Sequence, residues 1–255
     1  FIFFVFCSIF SLITFKVSNF TISPFICLFL ILIIGVSHGS LDNAKGGKLF
    51  QILGINNFFI FYLSYILIAL IVILFWVILP SVSLVIFLIL ASHHFGKEDT
   101  QFLIIKDSSY NQLLYFLKGS LVIFAPIYFH FDETISIFKL LLIDDEYFYE
   151  FLNFIETHKI LLYGIFLSTF ANILLLTKNF ELKKITIFLD YFSILIINYY
   201  FSPLIAFTIY FCFLHSIRHI ISLMSELDKN DLSNGLKIFT KKALPLTILT
   251  AIFCF

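Results

Sequence analysis

Five of the seven histidines stand at or near the ends of apolar runs. His38 closes one run in Gly35-Val36-Ser37-His38-Gly39-Ser40-Leu41-Asp42. His93 and His94 close another in Ser92-His93-His94-Phe95-Gly96-Lys97-Glu98-Asp99, and His215 and His219 lie in the last third of a third run. Four residues apart on a helix, His215 and His219 share a face about 6 Å apart along the axis. A neutral imidazole nitrogen is a good ligand for Zn, Cu, Fe and Ni. Four rings, His38, His94, His215 and His219, could hold a divalent cation without adding charge to a low-dielectric site. Six-coordinate iron in such a set keeps two positions for dioxygen or substrate, which suits redox chemistry on an apolar molecule better than hydrolysis. A lone histidine at a helix end is ordinarily an interfacial residue bonded to a carbonyl. A pair inside an apolar span is different, because ionisable groups in a membrane are expensive and usually functional. The pattern points to a metal or haem site. His130 and His158 lie at the opposite level and read as surface residues. Carboxylates that could accept the second ring N–H are Asp42 and Asp99, four and five residues after His38 and His94, and Asp190, about one and a half turns inside its helix. A helix-end polar role at the headgroup level is equally open for all three. Arg218, the only arginine, could bind lipid phosphate.

The elements that must position these rings follow from composition. Of 255 residues, 61% are hydrophobic, 20% aromatic and only 13% charged, with a mean hydropathy of +1.05. Soluble chains carry about 25% charged residues, so a soluble globular domain is excluded. Apolar runs long enough to cross a bilayer recur throughout. The expectation is an all-α, polytopic transmembrane bundle forming one domain over residues 1–255. Its spans are Phe1 to Phe15, Ile22 to Ser37, Phe58 to Leu79, Ser81 to Phe95, Leu113 to Phe129, Ile160 to Leu176, Ile185 to Tyr199 and Pro203 to Met224, about eight in all, with a ninth starting near Ala243. The chain opens on Phe1 and stops at Phe255 inside apolar runs, so it is read as a fragment at both ends. Sixteen basic and sixteen acidic residues balance to zero and give no reason to expect a nucleic-acid partner. Cys7, Cys27, Cys212 and Cys254 read as small buried apolar residues. The thirty-seven Phe, with abundant Ile, Lys and Asn, fit an AT-rich coding bias and say little about substrate.

Lysines set the orientation. Connections after the even-numbered spans hold eleven (Lys45, Lys48, Lys97, Lys106, Lys178, Lys183, Lys184, Lys229, Lys237, Lys241, Lys242), and those after odd-numbered spans hold Lys16, Lys139 and Lys159. Basic loops stay cytoplasmic, which puts the N-terminus and all five histidines at the cytoplasmic face. The acidic connection Asp132 to Lys159, dotted with Phe138, Leu140, Leu141, Phe148 and Phe151, suits an amphipathic helix on the outer interface.

Three segments in order, His38-Gly39-Ser40-Leu41-Asp42, His94-Phe95-Gly96-Lys97-Glu98-Asp99 and Phe211-Cys212-Phe213-Leu214-His215-Ser216-Ile217-Arg218-His219, closely resemble the Brp/Blh-type bacterial β-carotene 15,15′-dioxygenases, integral membrane enzymes that make retinal. The resemblance runs from about residue 22 to residue 242. It implies that the iron ligands are His38, His94, His215 and His219, and it selects His94 over His93 because His94 directly precedes Phe-Gly. It also implies Fe(II) as cofactor, β-carotene and O2 as substrates, all-trans retinal as product with an opsin as its user, and the bacterial inner membrane as location. Two departures stand out: Ser37 occupies a place where the family usually has Pro, and the family's later Pro-His segment lies beyond Phe255.

Rival readings use the same residues. A membrane di-iron desaturase or hydroxylase typically carries about eight histidines in His-x-x-His-His groupings, against five usable ones here. A b-type electron-transfer protein would use facing histidines as haem ligands. A transporter would break its helices near the midplane and place charge there, whereas the polar groups of this chain collect at one face.

Overall fold

A computed structural model describes residues 1–16, 22–35, 41–55, 57–103 and 108–254. The described residues form helices and no strands. In chain order these are α1 (Ile2–Lys16), α2 (Pro24–Leu30), α3 (Asp42–Ile52), α4 (Phe58–Ile78), α5 (Pro80–Glu98), α6 (Ser109–Phe129), α7 (Phe131–Leu140), α8 (Glu146–Thr157), α9 (Ile160–Thr177), α10 (Ile185–Tyr200), α11 (Pro203–Tyr210), α12 (Ser216–Leu227) and α13 (Leu232–Cys254). A π-helical segment, Ile31–Gly35, continues α2, and another, Phe211–His215, joins α11 to α12. Among the described residues, four stretches are long and apolar enough to cross a membrane: Phe59–Ile78, Ser109–Phe129, Ile160–Thr177 and the continuous Pro203–Leu227. Two shorter apolar helices are Ile2–Lys16 and Pro24–Gly35.

Punctuation in the sequence fixes most boundaries. Pro24, Pro80 and Pro203 open α2, α5 and α11 at the first helical position, where a missing N–H costs nothing. Asn57, Ser108 and Asp145 cap α4, α6 and α8 through their side chains. The Ser108 cap lets α6 begin a turn before its apolar run at Leu113, taking in Asn111 and Gln112. The final helix also starts earlier than its apolar stretch, at Leu232 rather than Ala243, because Asp231 caps it by accepting from the Ser233 and Asn234 N–H groups, and Gly235, directly against the Met224 backbone, lets α13 fold back along α12.

α6 is central. It packs against α5 and α9, and a core of Ala91, Phe95, Leu121, Val122, Ala125, Ile165, Ile194, Ile197 and Tyr210 joins these helices to α10 and α11. The crossing of α5 and α6 needs glycine on both sides. A Cβ on Gly96 would strike the Tyr115 carbonyl, and one on Gly119 would strike that of Ser92. Small residues let helix backbones meet where lipid offers no hydrophobic drive. α4 is the opposite case: only 6% of its apolar window is buried inside the bundle.

The acidic connection forms two helices, α7 and α8, rather than a single amphipathic one. Phe138, Ile143 and Leu152 bury against Leu84, Ile127 and Leu161. The corner between them is pinned by Trp76 Nε1–H donating to Leu141 O at 3.1 Å and Ser81 Oγ donating to Asp145 at 2.8 Å. α3, which sequence reading treats as a loop, is held where Gly46 admits the Phe61 ring. Cys7, Cys27 and Cys212 are buried and unbridged, in keeping with an apolar role.

Candidate metal centre

His94 and His215 come together where α5 ends beside α12, and His219 follows one turn along α12. The His94 and His215 ring centroids lie 5.2 Å apart. His215 is fully buried, with Phe211 stacked on one side at 5.7 Å and Phe95 edge-on at 4.9 Å. His94 is exposed and His219 largely covered. His93 points elsewhere, to Gln112 Oε1 on α6 at 2.6 Å. Adjacent residues on a helix do not share a face, so one of the two histidines can meet His215 only if the other turns away.

Two carboxylates from consecutive positions fix the rings. His215 Nδ1 lies 3.1 Å from Asp99 Oδ1, and His219 Nδ1 lies 2.9 Å from Glu98 Oε2. An ionised carboxylate only accepts hydrogen bonds. Nδ1 is therefore the donor in both rings, and Nε2 is the nitrogen that a neutral ring could offer to a cation. Tyr210 O–H also donates to Asp99, at 2.7 Å on Oδ2. Burial pushes the Asp99 carboxyl up, but the His215 hydrogen bond and the charges of Lys118 and Arg218 outweigh it and hold the group well below the ordinary carboxylate range.

Arg218 binds Asp190 with both arms, NH1 to Oδ2 at 2.6 Å and NH2 to Oδ1 at 3.0 Å, and its NH1 also donates to the Asp99 carbonyl at 3.3 Å. Its guanidinium lies over the Phe102 ring at 5.1 Å. Among the described residues Asp190 pairs with Arg218, and Arg218 is occupied within the protein. Lys118, buried on α6, lies within electrostatic reach of Asp99 and Asp190.

A cavity of about 420 Å³ opens beside Glu98 and Arg218, walled also by Gln101, Phe102, Ser222 and Ser225. His130 and His158 sit away from this site. His130 bonds the Asn198 carbonyl at 2.8 Å, tying α6 to α10, and is partly covered rather than a plain surface residue. His158 bonds the Phe154 carbonyl one turn back.

His38 lies outside the described residues, as does the side chain of Asp42. Among the described residues, no three His, Cys, Asp or Glu side chains converge tightly enough to share an ion. The donor chemistry nonetheless suits a divalent first-row cation: paired imidazoles, each with Nδ1 held by a carboxylate, match the usual arrangement around metal-ligating histidines. Glu98, Tyr210 and Lys118 escape sequence reading. For Glu98 a signal exists, since it is four residues after His94 and directly before Asp99. For Tyr210 none does, because α-helical spacing turns residues 210 and 215 apart.

One protein-family model, described as Beta-carotene 15,15'-dioxygenase, matches residues 29–255. No curated protein and no solved structure matches the chain.

Proposed function

The chain belongs to the β-carotene 15,15′-dioxygenase family, and from that premise we propose that it cleaves the central double bond of β-carotene with O2 at a non-haem Fe(II) held by His38, His94, His215 and His219. The equation balances as one carotene and one O2 giving two all-trans retinal, one oxygen atom on each new aldehyde carbon. The observation that carries this reading is the His94–His215 contact beside two carboxylate-bound imidazoles at one end of an apolar bundle.

Iron(II), when bound, supplies the activation of dioxygen. The protein supplies everything around it. Asp99 and Glu98 hold His215 and His219 by Nδ1. Phe95 and Phe211 pack on His215 and keep water from that side of the ring. Phe207 stacks on Phe211 at 5.2 Å, and Phe211 on His215, so an aromatic row leads from exposed Phe207 to the site. A long polyene dissolved in lipid can enter sideways along such a row, and holding the scissile bond in place beside the reacting centre is the protein's main contribution.

The location that suits this substrate is the bacterial inner membrane. Eight spans and part of a ninth, with the N-terminus and the iron site toward the cytoplasm, follow from the apolar runs and the lysine distribution, and the bare apolar surface of α4 suits lipid. Retinal released there would serve an opsin.

Expression in a carotene-accumulating bacterium, followed by chromatography of the pigments, tests the reaction. Loss of orange colour and a retinal peak are expected, and His38→Ala, His94→Ala, His215→Ala and His219→Ala should each abolish them. Unchanged carotene in cells that hold the folded wild-type chain would refute the activity. One iron per chain and no Soret band are expected of the purified protein, against two irons for a desaturase-like site and a sharp Soret band for a haem protein.

A further inference from the structure

Tyr210 and His215 are five residues apart, yet they meet on one carboxylate, at Asp99 Oδ2 and Oδ1. In an unbroken α-helix, residues five apart diverge by about 140° around the axis. The π-helical segment Phe211–His215 narrows that divergence, because i→i+5 bonding winds more residues into each turn. Four residues beyond His215, His219 meets Glu98, and between them Arg218 reaches the Asp99 carbonyl. Four side chains from one helical segment therefore grip two consecutive residues at the end of α5. Glu98 is steadied in turn by Gln101 Nε2, which donates to the same Oε2 at 2.7 Å. The end of α5 is itself fixed against α6 by the Gly96–Gly119 crossing.

We infer that this grip selects tautomers: Glu98 and Asp99 are positioning residues that keep the proton on Nδ1 of His219 and His215, and the π-helical segment sets the register in which they do so. The inference rests on the metal reading given under Proposed function and deepens it by assigning the carboxylates that present Nε2 of both rings. Carboxylates that orient a ligating imidazole also raise its basicity, and their loss typically costs 10–100-fold in metal affinity.

Glu98 is the residue to test, since it is only partly buried and its truncation leaves the Asp99 network whole. The full chain is purified metal-free in detergent. Histidine ¹⁵N–¹H spectra report the tautomers, and Co(II) titration by visible absorption reports affinity. The wild-type chain should show Nδ1–H forms for both His215 and His219. Glu98→Ala should scramble the His219 tautomer, leave that of His215, and weaken Co(II) by about 10–100-fold. Glu98→Gln, which keeps an oxygen acceptor, should restore the His219 tautomer and most of the affinity. Tyr210→Phe should leave His219 as it is. An Nε2–H form of His219 in the wild-type chain, or Glu98→Ala with wild-type tautomer and affinity, overturns the inference. Absence of retinal production alongside the expected tautomer response counts against the proposed reaction and in favour of the grip.

Discussion

At the scale of single residues, the segment His94 to Asp99 concentrates the site. Within six positions His94 lies beside His215, Phe95 walls that ring, Gly96 lets α6 approach, and Glu98 and Asp99 accept hydrogen bonds from Nδ1 of His219 and His215. His93 turns its Nε2 to Gln112 on α6. His93→Ala should therefore keep retinal production and metal content while costing about 1 kcal/mol of stability for the lost hydrogen bond; pigment chromatography and the thermal midpoint in detergent measure the two effects. Retinal lost in His93→Ala and kept in His94→Ala would move the ligand register by one residue. Arg218 gives a second prediction. Removing it leaves Asp190 buried without its bidentate partner, and breaking such a pair typically costs about 3–5 kcal/mol. Arg218→Met should unfold at a markedly lower temperature than wild type. If it behaved like wild type, the pair would be dispensable, and Lys118 would suffice to balance Asp99 and Asp190.

At the scale of elements, the site depends on how closely α5 and α6 approach. A Cβ at Gly96 or Gly119 meets backbone, which cannot swing aside, so the helices would have to part and carry Glu98 and Asp99 with them. Gly96→Ala and Gly119→Ala should each cost at least the upper end of the usual 1–3 kcal/mol for overpacking and should also lower metal content. Gly164→Ala is the control: its Cβ would meet only the Phe124 ring, which can rotate. Thermal midpoints of the three variants in detergent should separate Gly164→Ala from the other two, and equal losses would show that the crossing is not the sensitive point. The Gly35 backbone, one residue before the undescribed stretch that holds His38, lies against Phe211, so the two π-helical segments touch beside the stacked rings.

At the scale of the whole molecule, the histidine–carboxylate contacts lie where α5 ends beside α12, and α7 and α8 pack at the opposite ends of α5 and α6. Charge asymmetry makes the arrangement testable. Single cysteines introduced at Lys183 and at Lys229 should react with a membrane-impermeant maleimide only after cells are opened, whereas one at Asp144 should react in intact cells. The reverse pattern would turn the molecule over and put the histidines at the outer face.

Sequence by itself determined the class, because so few charges cannot clothe a water-facing surface, and the boundaries of most apolar helices, because Pro and capping residues act locally. It also determined which histidines could matter, through the i, i+4 pair and the three motifs at helix ends. Tertiary structure decided what those residues touch. Asp99 meets His215, whereas Asp190, at a comparable depth, meets Arg218; nothing in the spacing separates the two, because the choice is made by packing between helices distant in the chain. Glu98 gained its role only when α12 was laid beside the end of α5. Tyr210 joined Asp99 through a π-helical segment that has no signature in a 3.6-residue period. Local chemistry writes caps, spans and donor types, but the pairing of a proton donor with its acceptor across a bundle is a property of helix register and approach, and here two glycines and one widened turn set both.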